Sequence, residues 1–191
     1  MDITIFENTY RHPLISQKEL KLLIDAHKRV HVKEGEFMLK EGKTANEYYL
    51  IERGLFRAFV HNTSGNEITT DFFTDNEFLI EVSSLFQRIP SQENLQALTD
   101  SWAWKIEFDV FQELFHKIEG IREWGRAWMS EQLFISKRRS INMITTSAKD
   151  RYLALLKEKP IIIQQAPLKY IASYLGITDT SLSRIRKELF Q

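Results

Sequence analysis

The chain has 191 residues, 43% of them hydrophobic, enough to bury a substantial core and to set it apart from disordered sequences. It contains no cysteine, which excludes disulfides, thiolate metal sites, iron–sulfur clusters and cysteine nucleophiles. Formal charge sums to zero but is unevenly spread: 15 basic against 22 acidic residues stand up to Ser136, and 11 against 4 beyond it, so a basic C-terminal part expected to meet a polyanion follows an acidic body.

At the N-terminus, Asp2, Glu7, Arg11 and His12 interrupt the stretch where a secretory signal would be apolar, and no apolar run approaches the ~20 residues of a bilayer span; a cytoplasmic chain without a membrane partner is expected. Leu20, Leu23, Ile24 and His27 fall at helical spacing and predict a short helix over residues 17–28. Between about 30 and 106 the sequence turns β-branched and aromatic, in short runs punctuated by Gly35, Gly42, Gly54 and the turn Asn62-Thr63-Ser64-Gly65-Asn66. Such spacing predicts a small barrel, sandwich or jelly roll.

From Asp109 the period changes to that of a helix. Phe111, Leu114, Phe115 and Ile118 share one face, a break is expected at Gly120, and a long helix follows to about Ile144. On it Ile121, Trp128 and Ile135 recur every seven residues, a stripe that suits a dimer seam and equally a helix laid on its own domain; the seam is the expectation taken forward. Ser147 with Asp150 three residues later predicts the start of another helix, which carries Tyr152, Leu153, Leu155 and Leu156 up to a stop at Pro160. Ile161-Ile162-Ile163 is expected to be a short strand or a buried link.

Residues 167–189 predict a helix-turn-helix. Pro167 suits a first helical turn, Leu168, Ile171 and Leu175 share a face, and Ala172 is small where a second helix must cross. Gly176 sits where the chain must leave the first helix through a left-handed conformation, and Thr178 with Asp179 caps the second. Leu182, Ile185 and Leu189 form the buried side of that second helix. Its opposite side presents Thr180, Ser183, Arg184 and Lys187, short polar groups and an arginine able to reach base edges, with Arg186, Thr178 and Lys169 as flanking contacts. The alternative is an ordinary amphipathic helical hairpin with a solvated outer face; the coincidence of glycine turn, cap, small crossing residue and basic outer stripe favours the DNA-binding unit. Enzyme signatures are missing: His12, His27, His31, His61 and His116 show no metal-ligand spacing, and Gly42-Lys43-Thr44 lacks the glycine that would open a phosphate loop. No enzyme activity and no cofactor are expected.

On these residues the sequence resembles the Crp/Fnr superfamily of bacterial transcription regulators. Ile171-Ala172, Leu175-Gly176-Ile177-Thr178 and Leu182-Ser183-Arg184 look like its recognition-helix signature, and Lys33-Glu34-Gly35-Glu36, Glu41-Gly42 and Tyr49-Leu50-Ile51-Glu52-Arg53-Gly54 look like its cyclic-nucleotide-binding roll. The resemblance implies an α+β chain: a cyclic-nucleotide-binding-like β-roll or jelly roll over 1–118, a long connecting and dimerisation helix over 119–145, and an all-α helix-turn-helix domain over 146–191. The partners it implies are double-stranded DNA, a second copy of the chain, RNA polymerase and a small-molecule effector. Its ligand pocket corresponds to Glu81, Arg88, Ser91 and Gln92. The arginine that holds the cyclic phosphate is missing there and Glu93 adds a repelling carboxylate, so cyclic AMP is not expected to bind, while a different small ligand, or no effector at all, fits the sequence. The family's early recognition-helix glutamate is replaced by Thr180, and its C-terminal β-hairpin wing has no counterpart after Leu189, which suggests a short branch. The alternative reading is a small-ligand-binding or scaffold module that does not touch DNA.

Overall fold

The computed structural model describes residues 3–190. Asp2 and the outer ends of the expected first and last domains lie outside the described residues. Two short helices lead in, α1 (Thr4–Thr9) and α2 (Gln17–Ala26). The start of α2 is local chemistry: the Ser16 hydroxyl accepts from the Glu19 N–H, and the Glu19 carboxylate accepts from the Ser16 N–H at 2.8 Å, satisfying two otherwise orphaned donors. The helix ends two residues short of the expectation because His27 is already extended and Lys28 enters the first strand.

Eight strands follow: β1 (Lys28–Val32), β2 (Phe37–Leu39), β3 (Glu47–Arg53), β4 (Phe56–His61), β5 (Glu67–Phe73), β6 (Phe78–Leu79), β7 (Asn94–Ala97) and β8 (Ser101–Glu107), with α3 (Val82–Gln87) inserted between β6 and β7. They pair antiparallel in two four-stranded sheets, ordered β1-β8-β3-β6 and β2-β7-β4-β5. The first sheet is covered on both sides, which explains the unbroken apolar run in β3. Tyr49 and Ile51 point into the sandwich with Phe56, Ala58, Leu95 and Ala103, while Tyr48 and Leu50 point outward, with Trp104 and Ile106, to the helices.

The outer layer on that sheet consists of α1, α2, α4 (Phe108–Lys117) and the first turns of α5 (Glu119–Thr145). The break between α4 and α5 falls at Ile118, in extended conformation, and not at Gly120. Gly120 lies in the first turn of α5 for another reason: a Cβ there would stand 2.3 Å from the Leu14 carbonyl oxygen. The C-terminal part is helical throughout, α6 (Ala148–Glu158), α7 (Pro160–Gln165), α8 (Leu168–Tyr174) and α9 (Asp179–Phe190). The isoleucine triplet is therefore helical, neither a strand nor a bare link. Pro160 takes the first helical position, where its missing N–H costs nothing, and Ile162 is buried completely.

The stripe Ile121, Trp128, Ile135 is corrected as well. Ile121 is fully buried in the core under the first sheet, and Trp128 packs on that core with its ring 5.5 Å from Phe78, so the upper part of the stripe holds α5 to its own roll. Only Ile135 is exposed. The apolar side chains that α5 leaves uncovered are Met129, Leu133, Phe134, Ile141, Met143 and Ile144.

Candidate nucleic-acid interface

α8 and α9 are joined by a turn whose geometry follows from Gly176. With φ at +68° it lets the Ile177 N–H donate back to the Ala172 carbonyl and the Gly176 N–H to the Ser173 carbonyl, the paired bonds that close a helix end in left-handed conformation. Arg151 of α6 adds a third partner, donating from one Nη to the Leu175 carbonyl at 2.8 Å and from the other to the Thr146 carbonyl at 2.5 Å. One side chain thus ties the end of α5 to the turn. The sequence marks Arg151 only as another basic residue; its role needed the fold. Thr178 caps α9 by accepting from the Ser181 N–H, and its hydroxyl meets that of Ser181 at 3.0 Å.

Below the turn, Ile171, Ala172, Leu175 and Leu182 close over Tyr152, Leu155 and Ile162, with Ile185 and Leu189 half-buried at the edge. Leu168, expected on the same face, is mostly exposed at the start of α8. Thr180, Ser183, Arg184 and Lys187 are all exposed on the outer side of α9, and their side chains form no hydrogen bond or ion pair with the described residues. Arg186 is half-buried beside them, Thr178 is exposed at the cap, and Lys169 is exposed with its Nζ 4.8 Å from the Tyr170 ring. The structure therefore gathers the α9 residues into one polar and basic surface, with Lys169 on the neighbouring helix.

This unit is docked on the β2-β7-β4-β5 sheet. The Thr69 N–H donates to the Ser173 hydroxyl at 3.1 Å, Lys159 donates to the Phe72 carbonyl at 3.2 Å and pairs with Glu77 at 2.7 Å, and Phe72 meets Tyr174 edge-on. Arg57, almost wholly buried, lies with its guanidinium 3.5 Å from the Tyr170 ring centre and 4.0 Å from that of Phe59, anchored by Glu67 and Gln96. From α5, Arg139 donates to the Thr70 carbonyl and stacks on Tyr174, whose hydroxyl burial pushes up to about 12.

Three of the expected ligand-pocket residues are engaged within the fold. The Glu81 carboxylate caps α3, accepting from the N–H groups of Ser83 and Ser84. Arg88 is left-handed at the end of α3, and its guanidinium donates to the Ala45 carbonyl and the Asn46 side chain. The buried Ser91 hydroxyl donates to the Glu93 carbonyl, and Gln92 is exposed. Burial, with the neighbouring Glu81 and Asp71 carboxylates, holds the Glu93 carboxyl above its ordinary range; burial does the same for Asp71, against the opposing charges of Arg139 and Lys159.

Among the described residues no helix is long and apolar enough to cross a membrane. No curated protein matches the sequence. A family model, the cyclic nucleotide-binding domain, matches residues 29–117. Among solved structures, the c-di-GMP-responsive global regulator CLP of Xanthomonas campestris is 17% identical with a TM-score of 0.71 over 91% of each chain. A protein assigned to the Crp/Fnr family of transcriptional regulators from Eubacterium rectale is 19% identical with a TM-score of 0.72 over 96% of this chain and 88% of its own. FixK2 of Bradyrhizobium japonicum is 14% identical with a TM-score of 0.74 over 85% and 84%. Residues 29–117 thus match the cyclic nucleotide-binding domain model, and the chain as a whole shares its fold with these solved regulators.

Proposed function

We infer that the chain is a sequence-specific DNA-binding transcription regulator of Crp/Fnr type, acting as a homodimer and not recognising cyclic AMP. The observation that carries this reading is the outer side of α9: Thr180, Ser183, Arg184 and Lys187 exposed together on a capped helix, behind a glycine turn, in the basic part of the chain. A helix of this kind fits the major groove, with an arginine for a guanine edge and lysines for phosphates. The long-helix fold shared with CLP and the Eubacterium rectale protein supports the dimer, and the second recognition helix would lie one DNA turn away on a near-palindromic site. The uncovered side of α5, where Met129, Leu133, Ser136, Ser140 and Ile144 follow one another at spacings of three and four, is the surface on which two copies would pair. The engagement of Glu81 and Arg88 within the fold, beside the buried Glu93 carboxyl, supports the negative half of the reading.

Selection of bound duplexes from a random pool tests it. An enriched two-fold-symmetric site, with affinity that falls steeply as salt rises, is the expected result. A chain that binds no duplex even at low salt would sink the reading and leave a ligand-binding or scaffold module.

A further inference from the structure

We propose that the aromatic cavity between the roll, α4 and the first turns of α5 is a binding site for an uncharged, flat aromatic molecule. The cavity is about 390 Å³, within the range of roughly 300–1,000 Å³ typical of small-molecule sites, and none of Glu81, Arg88, Ser91 and Gln92 lines it. Its walls are rings: Tyr48 and Phe78 from the roll, Phe111 and Phe115 from α4, Trp124 and Trp128 from α5. The two tryptophans are nearly parallel, 20° apart, and Phe78 stands edge-on to both at 5.6 and 5.5 Å. Faces and edges are thus offered in the arrangement that a planar π-system prefers. Gly125 keeps the wall closed, since a Cβ there would come within 2.9 Å of the Phe115 ring.

The polar groups decide the ligand's charge. The Trp124 indole N–H is turned away and donates to the Thr9 carbonyl. The Tyr48 hydroxyl is buried beside that of Tyr10. At the mouth stand Gln112 and Arg126, and Arg126 is neutralised by Glu123 through two hydrogen bonds, the shorter 2.7 Å. An ion entering this cavity would lose its water and gain no uncompensated partner. An uncharged molecule with a single polar group loses far less, and a bond to the Gln112 amide compensates that group. A second copy of the chain is the weaker candidate for occupant, because the cavity is lined from α5 only up to Met129, whereas the uncovered stripe runs on from Met129 to Ile144 and shares only that residue with the cavity. Binding at Met129 would be felt at that stripe; this regulatory consequence rests on the dimer reading, while the site itself does not.

N-phenyl-1-naphthylamine, made of two flat ring systems and uncharged with one N–H, is the probe, and 8-anilinonaphthalene-1-sulfonate is its charged counterpart. In fluorescence titrations of the full chain the first should saturate one site per chain, with energy transfer from tryptophan, and the sulfonate should bind at least tenfold more weakly. Ile80→Trp, which fills the cavity from its rim, should weaken the neutral probe at least tenfold. Gln112→Leu, which sits at the mouth and disturbs no packing, should weaken it about fivefold, the worth of one hydrogen bond. Equal affinity for the two probes overturns the proposal, as does indifference to Gln112→Leu. Binding that emerges only on dilution to monomers overturns it in favour of a second copy. No DNA enters these measurements, so their failure and that of the duplex selection are separable.

Discussion

Arg184 differs from Arg57, Arg139 and Arg151 in having nothing to do within the fold. Arg57 is held between two rings, Arg139 spans α5 and the sheet, and Arg151 closes two helix ends, whereas the Arg184 guanidinium is exposed and forms no bond with the described residues. Arg184→Ala should therefore leave the thermal midpoint unchanged and cost about 1 to 3 kcal/mol of specific binding, relaxing preference at one base pair. Lys187→Ala should weaken all duplexes alike and lower the salt slope by about one. Titrations of selected and scrambled duplexes separate the two, and equal losses on both duplexes for Arg184→Ala would reassign it to the phosphates. The exposed side of α9 was legible because helical period alone fixes which residues oppose Leu182. The fate of Arg88 was not, since nothing local announces that a left-handed residue after α3 will swing its side chain to Ala45.

Among the elements, those with a chemical signal at their ends were readable. Ser147 and Thr178 each cap the helix they precede, and Gly176 closes α8. The isoleucine triplet misled because three β-branched residues in a row mimic a strand; the proline before them, preset for a first helical turn, was the better sign. In α5 the seven-residue stripe is real, but period says only that a face is buried, not against what. The two faces make opposite predictions. Ile121→Ala should cost about 2 to 5 kcal/mol of stability, the range of a truncated core side chain, without changing association. Leu133→Glu, on the uncovered side, should give a monomer in sedimentation while its unfolding midpoint stays close to that of a wild-type monomer. A dimer that survives Leu133→Glu would place the seam elsewhere.

At the scale of the whole molecule, the roll, α5 and the helix-turn-helix meet around Thr70, Asp71 and Glu93, with Arg139 and Lys159 reaching in from the helices. None of this was visible in the sequence, because the partners are distant in the chain and carry no motif. Burial raises the folded-state carboxyls of Asp71 and Glu93, so the folded chain holds these protons more tightly than the unfolded one. Their contribution to stability is complete below the unfolded value and is lost as pH rises through the folded one. Glu93→Gln removes one such proton: in urea unfolding its stability relative to wild type should rise with pH from about 4.5 and level off with the variant ahead at neutral pH. A variant that lags at neutral pH would mean that Arg139 outweighs burial. The unbroken run of α5 from the aromatic cavity to the helix-turn-helix also makes it a lever. Its 27 residues span about 40 Å, so a tilt of about 5° at the Glu119 end sweeps the Thr145 end by about 3.5 Å, close to the ~3.4 Å step between base pairs. A movement too small to disturb the packing around Trp124 is thus large enough, at the far end, to carry a reading head from one base pair to the next.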